Sequence, residues 1–499
     1  MSTLTALARA QAAALGVAQP ITTVAHVHVS ARPLVLVPLA LAGEANAPLA
    51  AMVGDAPRSP RLLVVVQPRN RDQRFAFAAE LAGSVVPYIE GFCGTEEEVP
   101  AGRGGESRVR FADAPQILVP GPAAAGFVRL LGRSTRFRRT DGEFAVDPSV
   151  PLLGRWLSFL AERAAHPGSC LLLTATDSLS RHWASGQSDL EDLNLAALVG
   201  WIDPPPGLTG PQAAAAAEDP LTWPPAGPAT DPGFDNEVLA PLIAACQRAA
   251  GGAAERRARA ALADALAGQL VPTWRLLWRA VGLLRAMPSG EHVGPRWNAD
   301  KDAFTGYARY LQSGGAPQPR RDGAVAAARR LNWLERAQAT LGAQRAFDDP
   351  LVMAEYRLAG EAFAGTVVTA EPDRIDHSGP RRRLRPLITV ATADPVLLAP
   401  GAIVSAPARP GQKGRVVSVT SPAGQPGAVV LELSGGMGRK LTATPGTVPE
   451  IGERLCYSTL TDGYQPSAEF PLAEETPWTH GGPPAPYVPA GEDADEEWS

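Results

Sequence analysis

Nine prolines fall between Asp203 and Asn236: Pro204, Pro205, Pro206, Pro211, Pro220, Pro224, Pro225, Pro228 and Pro232. Proline has no N–H and its ring clashes with the carbonyl four residues back, so no long helix or central strand survives that density. Residues 203–236 therefore read as a Pro-rich linker or extended surface segment. The 499-residue chain is long enough for several domains, and its 45% hydrophobic and 19% charged residues exclude a polar disordered chain. Its one long uncharged run, Ala10 to Ala31, carries Gln11, Gln19, Pro20, His26 and His28, a poor composition for a bilayer helix, so no membrane partner is expected.

Before that segment, apolar runs at Thr23–Val29, Leu34–Val37, Leu62–Val66, Gln116–Val119 and Cys170–Thr174 read as strands. Helical spacing lies between them: Asp72–Val86 aligns Phe75, Ala78, Ala82 and Val86 and is expected to stop at Pro87, and Val150–Ala164 aligns Leu153, Leu157 and Leu160. Residues 1–202 are thus expected to form an α/β domain. From Glu237 the period is helical. Trp274, Leu277, Trp278, Val281 and Leu284 make an apolar stripe over Pro272–Met287, Asp322 is placed to cap a further helix, and Asp349-Pro350 opens another running to about Ala364. Residues 237–385 are expected to be an all-helical middle domain.

After Arg385 the period shortens again. Pro386–Thr392, Ala402–Ala406, Gly414–Ser421, Ala428–Leu433, Arg439–Ala443 and Glu453–Leu460 are short strand candidates between Gly/Pro turns, which predicts a C-terminal small β-barrel over 386–465. The Pro-rich, acidic stretch 466–499 is expected to be a disordered tail. The fold class expected is α+β multidomain.

Several chemistries are excluded by what is missing. Lys301, Lys413 and Lys440 are the only lysines, and none precedes Ser or Thr, so there is no P-loop. None lies two residues after Asp or Glu, as restriction-type nucleases need, and no Gly-x-Ser-x-Gly elbow exists. Cys93, Cys170, Cys246 and Cys456 stand far apart with no CxxC pair, so no zinc ribbon or redox motif is supported, and no metal or cofactor is expected. Isolated thiols and the absence of a charged n-region before an apolar h-region at the start suggest a cytoplasmic protein, and the Ala/Gly/Pro/Arg bias suggests a bacterial one. Net charge −5 and pI near 5.9 exclude a basic coat protein, so any nucleic-acid surface must be local.

One local concentration of cations is Arg129, Arg133, Arg136, Arg138 and Arg139, with Phe137 among them as a base-stacking candidate. A second is Arg381, Arg382, Arg383 and Arg385. In an Arg-rich chain such clusters are more often solvated or paired with acidic neighbours. For acid–base chemistry the candidates are Asp177, Ser178 and His182, which follow a predicted strand, the position where open α/β sheets bind ligands, although Asp177 or Ser178 is equally a helix N-cap. His26 and His28 alternate on a predicted strand like a metal-binding His-x-His pair, but lack companion ligands. Gln67 to Arg74 joins a strand to a helix N-terminus, where Arg69, Arg71 and Arg74 would assist an anion.

The run Pro410 to Val419 followed by Ala428 to Leu433 resembles a KOW-type motif in an SH3-like barrel, as found in ribosomal and transcription-elongation proteins. The resemblance implies that Gly414 serves a tight turn and that Lys413 and Arg415 meet phosphates. Val430–Leu433, Gly435–Lys440 and Pro449–Leu460 are similar to the accessory barrel of superfamily 1 helicases, which implies a helicase or nuclease partner encoded elsewhere. The end of the chain, where Glu492, Asp493, Asp495, Glu496 and Glu497 precede Trp498, resembles the partner-docking tails of single-stranded-DNA-binding proteins, with Trp498 as anchor. The function expected is a non-catalytic accessory that binds DNA or RNA or a processing partner. The alternatives are a hydrolase at the strand ends near Asp177 and His182, and a pure protein–protein scaffold.

Overall fold

The computed structural model describes residues 2–100, 107–220, 223–224, 229–249, 251–319, 321–379, 381–420, 426–438, 440–463 and 469–470. They gather into two compact units, Leu7–Ala337 and Gln338–Ser467 with Met1–Ala6. Among the described residues, no helix is long and apolar enough to cross a membrane.

The first unit is built on a mixed sheet of β1 (Leu34–Leu41), β2 (Glu44–Gly54), β3 (Arg61–Val64), β4 (Ile117–Val119) and β5 (Leu172–Thr174), in the order β3-β2-β1-β4-β5. β1, β2 and β3 are antiparallel, whereas β1, β4 and β5 run parallel. β1 is buried along nearly its whole length, as its continuous apolar run requires. Pro38 is tolerated inside it because β4 pairs only with Leu34 and Val35, so the missing N–H breaks no parallel ladder. Sequence periodicity missed β2, whose Ala47, Ala50 and Ala51 have no β-branching. It forms because Gly43, at φ 73°, closes a two-residue turn from β1 and because β1 and β3 flank it on both sides. Thr23–Val29, expected as a strand, makes only a single bridge, Ala25 to Ser289.

Helices cover the sheet. α1 (Arg71–Glu90) is capped by Asn70 and buries Phe75, Ala78, Leu81, Ala82 and Val85. It runs past Pro87 instead of stopping there, because a proline in the last turn loses one hydrogen bond and Gly91 N–H closes the end onto the Pro87 carbonyl. α2 (Pro122–Thr135) and α3 (Ser149–Ala164) cross closely: a Cβ on Gly154 would sit 2.4 Å from Arg136 N, and one on Gly132 would sit 2.8 Å from Ser158 N. Short α4 (Ala175–Ser180) follows β5 directly.

Part of the proline-dense stretch is helical. It contains α5 (Gly210–Ala217), whose Pro211 occupies the first turn, where its missing N–H has no intrahelical partner to lose. Thr209 N–H donates to Gln212 Oε1 at 2.9 Å, and Ala213 and Ala217 are buried. α6 (Gly252–Arg285) absorbs Pro272 into one continuous helix instead of beginning there. Its Leu262, Leu266, Leu270, Trp274, Leu277 and Leu284 share a single core with the strands. α7 (Val293–Gln312) joins that core through Trp297 and Phe304. The buried Asp300 of α7 accepts from Arg163 at 2.9 Å, Ser169 at 2.7 Å and Cys170 N–H at 2.6 Å, which ties the helix to the residues leading into β5. α8 (Ala324–Asp348) follows.

In the second unit α9 (Pro350–Leu358) is capped by Asp349 and ends well before Ala364, because Gly360 at φ 77° turns the chain. The expectation of an all-helical region to Arg385 is corrected here: β6 (Ala362–Glu371) is a strand, paired to two neighbours. With β7 (Leu387–Thr392), β8 (Ile403–Val404), β9 (Lys413–Thr420), β10 (Gly427–Ser434) and β11 (Arg454–Ser458) it makes a six-stranded antiparallel sheet, ordered β8-β9-β10-β7-β6-β11. Reciprocal main-chain bonds between Ser405 and Ser458 bring the two edges together, so the barrel is nearly closed. Its core is the inward half of each alternating strand, including Phe363, Val390, Val416, Leu431, Leu455 and Tyr457. The strand expected at Arg439–Ala443 is not one across its described residues 440–443; β6 supplies the sixth strand.

Candidate functional site

At the β5 strand end, Thr174 is the N-cap of α4, displacing Asp177 and Ser178 from that role. The Thr174 hydroxyl donates to the exposed Asp177 carboxylate at 2.6 Å. His182 is 0% exposed. Its Nε2 accepts the His26 main-chain N–H at 2.9 Å, which places the ring hydrogen on Nδ1, 2.6 Å from the Ser178 carbonyl. Both ring nitrogens therefore bind main chain, and Ser178 meets the histidine through its carbonyl. Ser178 and His182 are brought together as a structural staple, while the Asp177 side chain turns to Thr174.

The His26/His28 pair is likewise built into the interior. His26 stacks on His182 with ring centres 5.8 Å apart, and His28 stacks on Trp297 at 4.1 Å. Burial lowers the His28 pKa, with Asp113 opposing the shift. Burial also pushes the Cys170 thiol up to about 12, so it stays protonated and accepts the His28 N–H at 3.3 Å. Among the described residues no three His, Cys, Asp or Glu converge as a metal site.

The α2 arginines divide into two sets. Arg136 and Arg138 are buried: Arg136 donates to the carbonyls of Gln318 at 3.0 Å and Pro319 at 3.3 Å, and Arg138 donates to that of Ser134 at 2.9 Å. Their guanidinium groups lie over Phe137 and Phe75. Phe137 is only 9% exposed, so the reading of it as a base-stacking platform is corrected. Arg139 is exposed and 3.5 Å from Asp141. Arg129 and Arg133, one turn apart on the solvent face of α2, make no side-chain hydrogen bond or ion pair among the described residues. They open onto a cavity of about 310 Å³ whose other walls include Arg136, Glu162 of α3, Asp322 and Arg330 of α8. Arg330 reaches Asp322 at 3.3 Å. Desolvation raises the Glu162 pKa, with Arg330 and Arg136 pulling it back. Glu162 and Arg330 come from distant helices, and Asp322, read from the sequence only as a helix cap, lies just before α8; no shared spacing links the three to α2.

A second cavity, about 870 Å³, lies where the β1–β2 turn, the Gln67–Asn70 connection and residues 232–247 meet. Arg69 pairs with Glu44 there at 3.0 Å, and Ala42 N–H donates to Asp235 at 3.1 Å. The helix start expected to attract an anion is already capped by its own residues: Gln73 N–H donates to Asn70 at 3.0 Å, and Gln67 N–H donates to Gln73 at 2.8 Å. Arg71 is turned to the Phe144 carbonyl at 2.7 Å.

On the barrel, Arg415 and Arg374 both bind Glu432 at 2.9 Å, so Arg415 is a paired residue. Gly414 is not the turn glycine. It lies within β9, where a Cβ would stand 3.3 Å from both Leu431 and Val404; the turn falls at Gly411, with φ 79°. Lys413, Arg381, Arg382 and Arg383 are exposed, and among the described residues their side chains make no hydrogen bond or ion pair. Trp498 and the carboxylates before it lie outside the described residues. Compared with family models, with curated proteins and with solved structures, the chain matches none.

Proposed function

We propose that this chain is a non-catalytic accessory protein that binds nucleic acid through phosphate contacts. The observation that carries the reading is the separation of the cations into paired and unpaired sets. Arg136, Arg138, Arg139 and Arg415 have protein partners, whereas Arg129, Arg133, Arg381, Arg382, Arg383 and Lys413 stand exposed without one among the described residues. An exposed guanidinium with no carboxylate to satisfy it can exchange counterions for phosphates at little cost. The likeness of Pro410–Leu433 to a KOW-type motif supports the same use of the barrel, and a helicase or nuclease encoded elsewhere is the partner that reading implies. The hydrolase alternative loses support from the commitment of both His182 nitrogens to main chain.

The test is fluorescence anisotropy with labelled mixed-sequence single strands and duplexes of DNA and RNA over a range of salt. Affinity should fall as salt rises. Replacing Arg129 and Arg133 by Gln, or Arg381, Arg382, Arg383 and Lys413 by Gln, should flatten the slope by about 0.9 for each duplex-DNA phosphate contact removed. Salt-insensitive binding, or no binding, would overturn the proposal.

A further inference from the structure

The α2–α3–α8 cavity gathers four arginines around one small space. Its volume, about 310 Å³, is at the lower end of small-ligand pockets. Arg129 and Arg133 enter from one wall, Arg330 from another, and the buried Arg136 is held behind them by the carbonyls of Gln318 and Pro319. Glu162 and Asp322 share the same lining. Arg330 answers Asp322 and Arg136 is held by carbonyls, so an anion entering the cavity finds Arg129 and Arg133 as its two guanidiniums without a partner among the described residues. A terminal phosphomonoester carries about −1.5 to −2 charge at neutral pH and three free oxygens, against one charge and two oxygens for an internal diester.

We infer that this cavity binds a terminal phosphomonoester, the 5′-phosphate end of a strand or the same group on a free mononucleotide, through Arg129 and Arg133. The strand-end source rests on the nucleic-acid reading above; the phosphomonoester site does not.

The test uses the full chain and a short single-stranded DNA labelled at its 3′ end, prepared with either a 5′-phosphate or a 5′-hydroxyl, with adenosine 5′-monophosphate as competitor. The 5′-phosphorylated strand should bind roughly tenfold tighter, the amount expected from one added charge-assisted hydrogen bond. Arg129→Gln with Arg133→Gln should abolish the difference, so that the phosphorylated and the hydroxyl strand bind equally through the cations that remain. Glu162→Gln, which removes a like charge from the wall, should tighten the phosphorylated strand alone by a few-fold. Equal binding of the two strands with no competition by the mononucleotide would overturn the inference and leave nucleic-acid binding standing. Arg129- and Arg133-dependent binding of the mononucleotide with no binding of either strand would do the reverse, keeping the site and sinking the nucleic-acid reading. No binding of any probe overturns both.

Discussion

Three carboxylates of the barrel unit and two of the α/β unit sit in opposite environments, although the α/β unit also has arginine-paired surface carboxylates such as Glu44 and Glu97. In the barrel unit Asp394, Glu432 and Glu453 are partly exposed and each is gripped by arginine. Asp394 accepts two bonds from Arg357 at 2.7 Å and a third from Ala364 N–H at 2.7 Å; Glu453 is held by Arg409, and Glu432 by Arg374 and Arg415. Burial alone would raise their pKa values, but these bonds overcome it and hold all three below the usual range. In the α/β unit Asp300 and Asp192 lie inside the protein, and desolvation wins, pushing both up despite their hydrogen bonds. A small barrel with one thin core gains from fastening its rim. In the α/β unit burial costs the two carboxylates desolvation that their hydrogen bonds only partly offset, and Asp300 uses those bonds to fix where helix and strand meet.

The largest expected effect follows from that contrast. Asp300→Ala leaves the half-buried Arg163 and the buried Cys170 N–H without their acceptor, and breaking a buried pair from one side costs about 3–5 kcal/mol. Every described tryptophan lies in the α/β unit, so with Trp478 and Trp498 replaced by Phe urea unfolding followed by tryptophan fluorescence reads that unit directly. A loss under about 1 kcal/mol would mean that Asp300 is no tie at all. The matching change in the barrel, Asp394→Asn, should cost less, about 1–2 kcal/mol, since the pair is partly solvated. Faster hydrogen exchange confined to Ala362–Glu371 and its neighbours would show it; protection unchanged there would deny the fork a stabilising role.

Acidification sharpens the same comparison. Asp394, Glu432 and Glu453 have folded pKa values below their unfolded ones, so their contribution is complete above the ordinary carboxylate value near 4 and is lost as pH falls through the depressed values. Asp300 and Asp192 have raised folded values, so the stability linked to them is complete below the ordinary value and declines as pH rises through the raised ones. Hydrogen exchange corrected for intrinsic rate should therefore show the barrel strands loosening first on acidification. Loss of protection first at β1 and β4 would reverse the assignment.

What the residues made legible was periodicity and punctuation. β1, β4, β5 and most barrel strands were readable because apolar runs with Gly/Pro boundaries admit few alternatives. β2 and β6 were not: one is alanine-rich and the other, Ala362–Glu371, follows a helix without a proline break, so tertiary pairing decided them. Proline misled twice in the same sense. Pro87 and Pro272 both lie inside helices, where packing of Val85 and Val86 on one and of Trp274 and Leu277 on the other outweighs a lost hydrogen bond. At the candidate cavity, Arg129 and Arg133 were visible as a basic run. Nothing local distinguished them from Arg136 and Arg138, because whether an arginine is free depends on carbonyls and rings that only the fold brings near.

That distinction yields the smallest expected effect on stability. Arg129→Gln with Arg133→Gln removes two exposed side chains that fasten nothing among the described residues, and surface changes away from such contacts stay within about 0.5 kcal/mol. Arg136→Gln, in contrast, breaks bonds to the carbonyls of Gln318 and Pro319 and a stack on Phe137, and should lower the α/β unit's stability by about 1–3 kcal/mol. Urea midpoints read by tryptophan fluorescence, with Trp478 and Trp498 again replaced by Phe, compare the two directly. If the double variant is destabilised as much as Arg136→Gln, all three arginines are structural, and the cavity they line has no cations to spare for a phosphate.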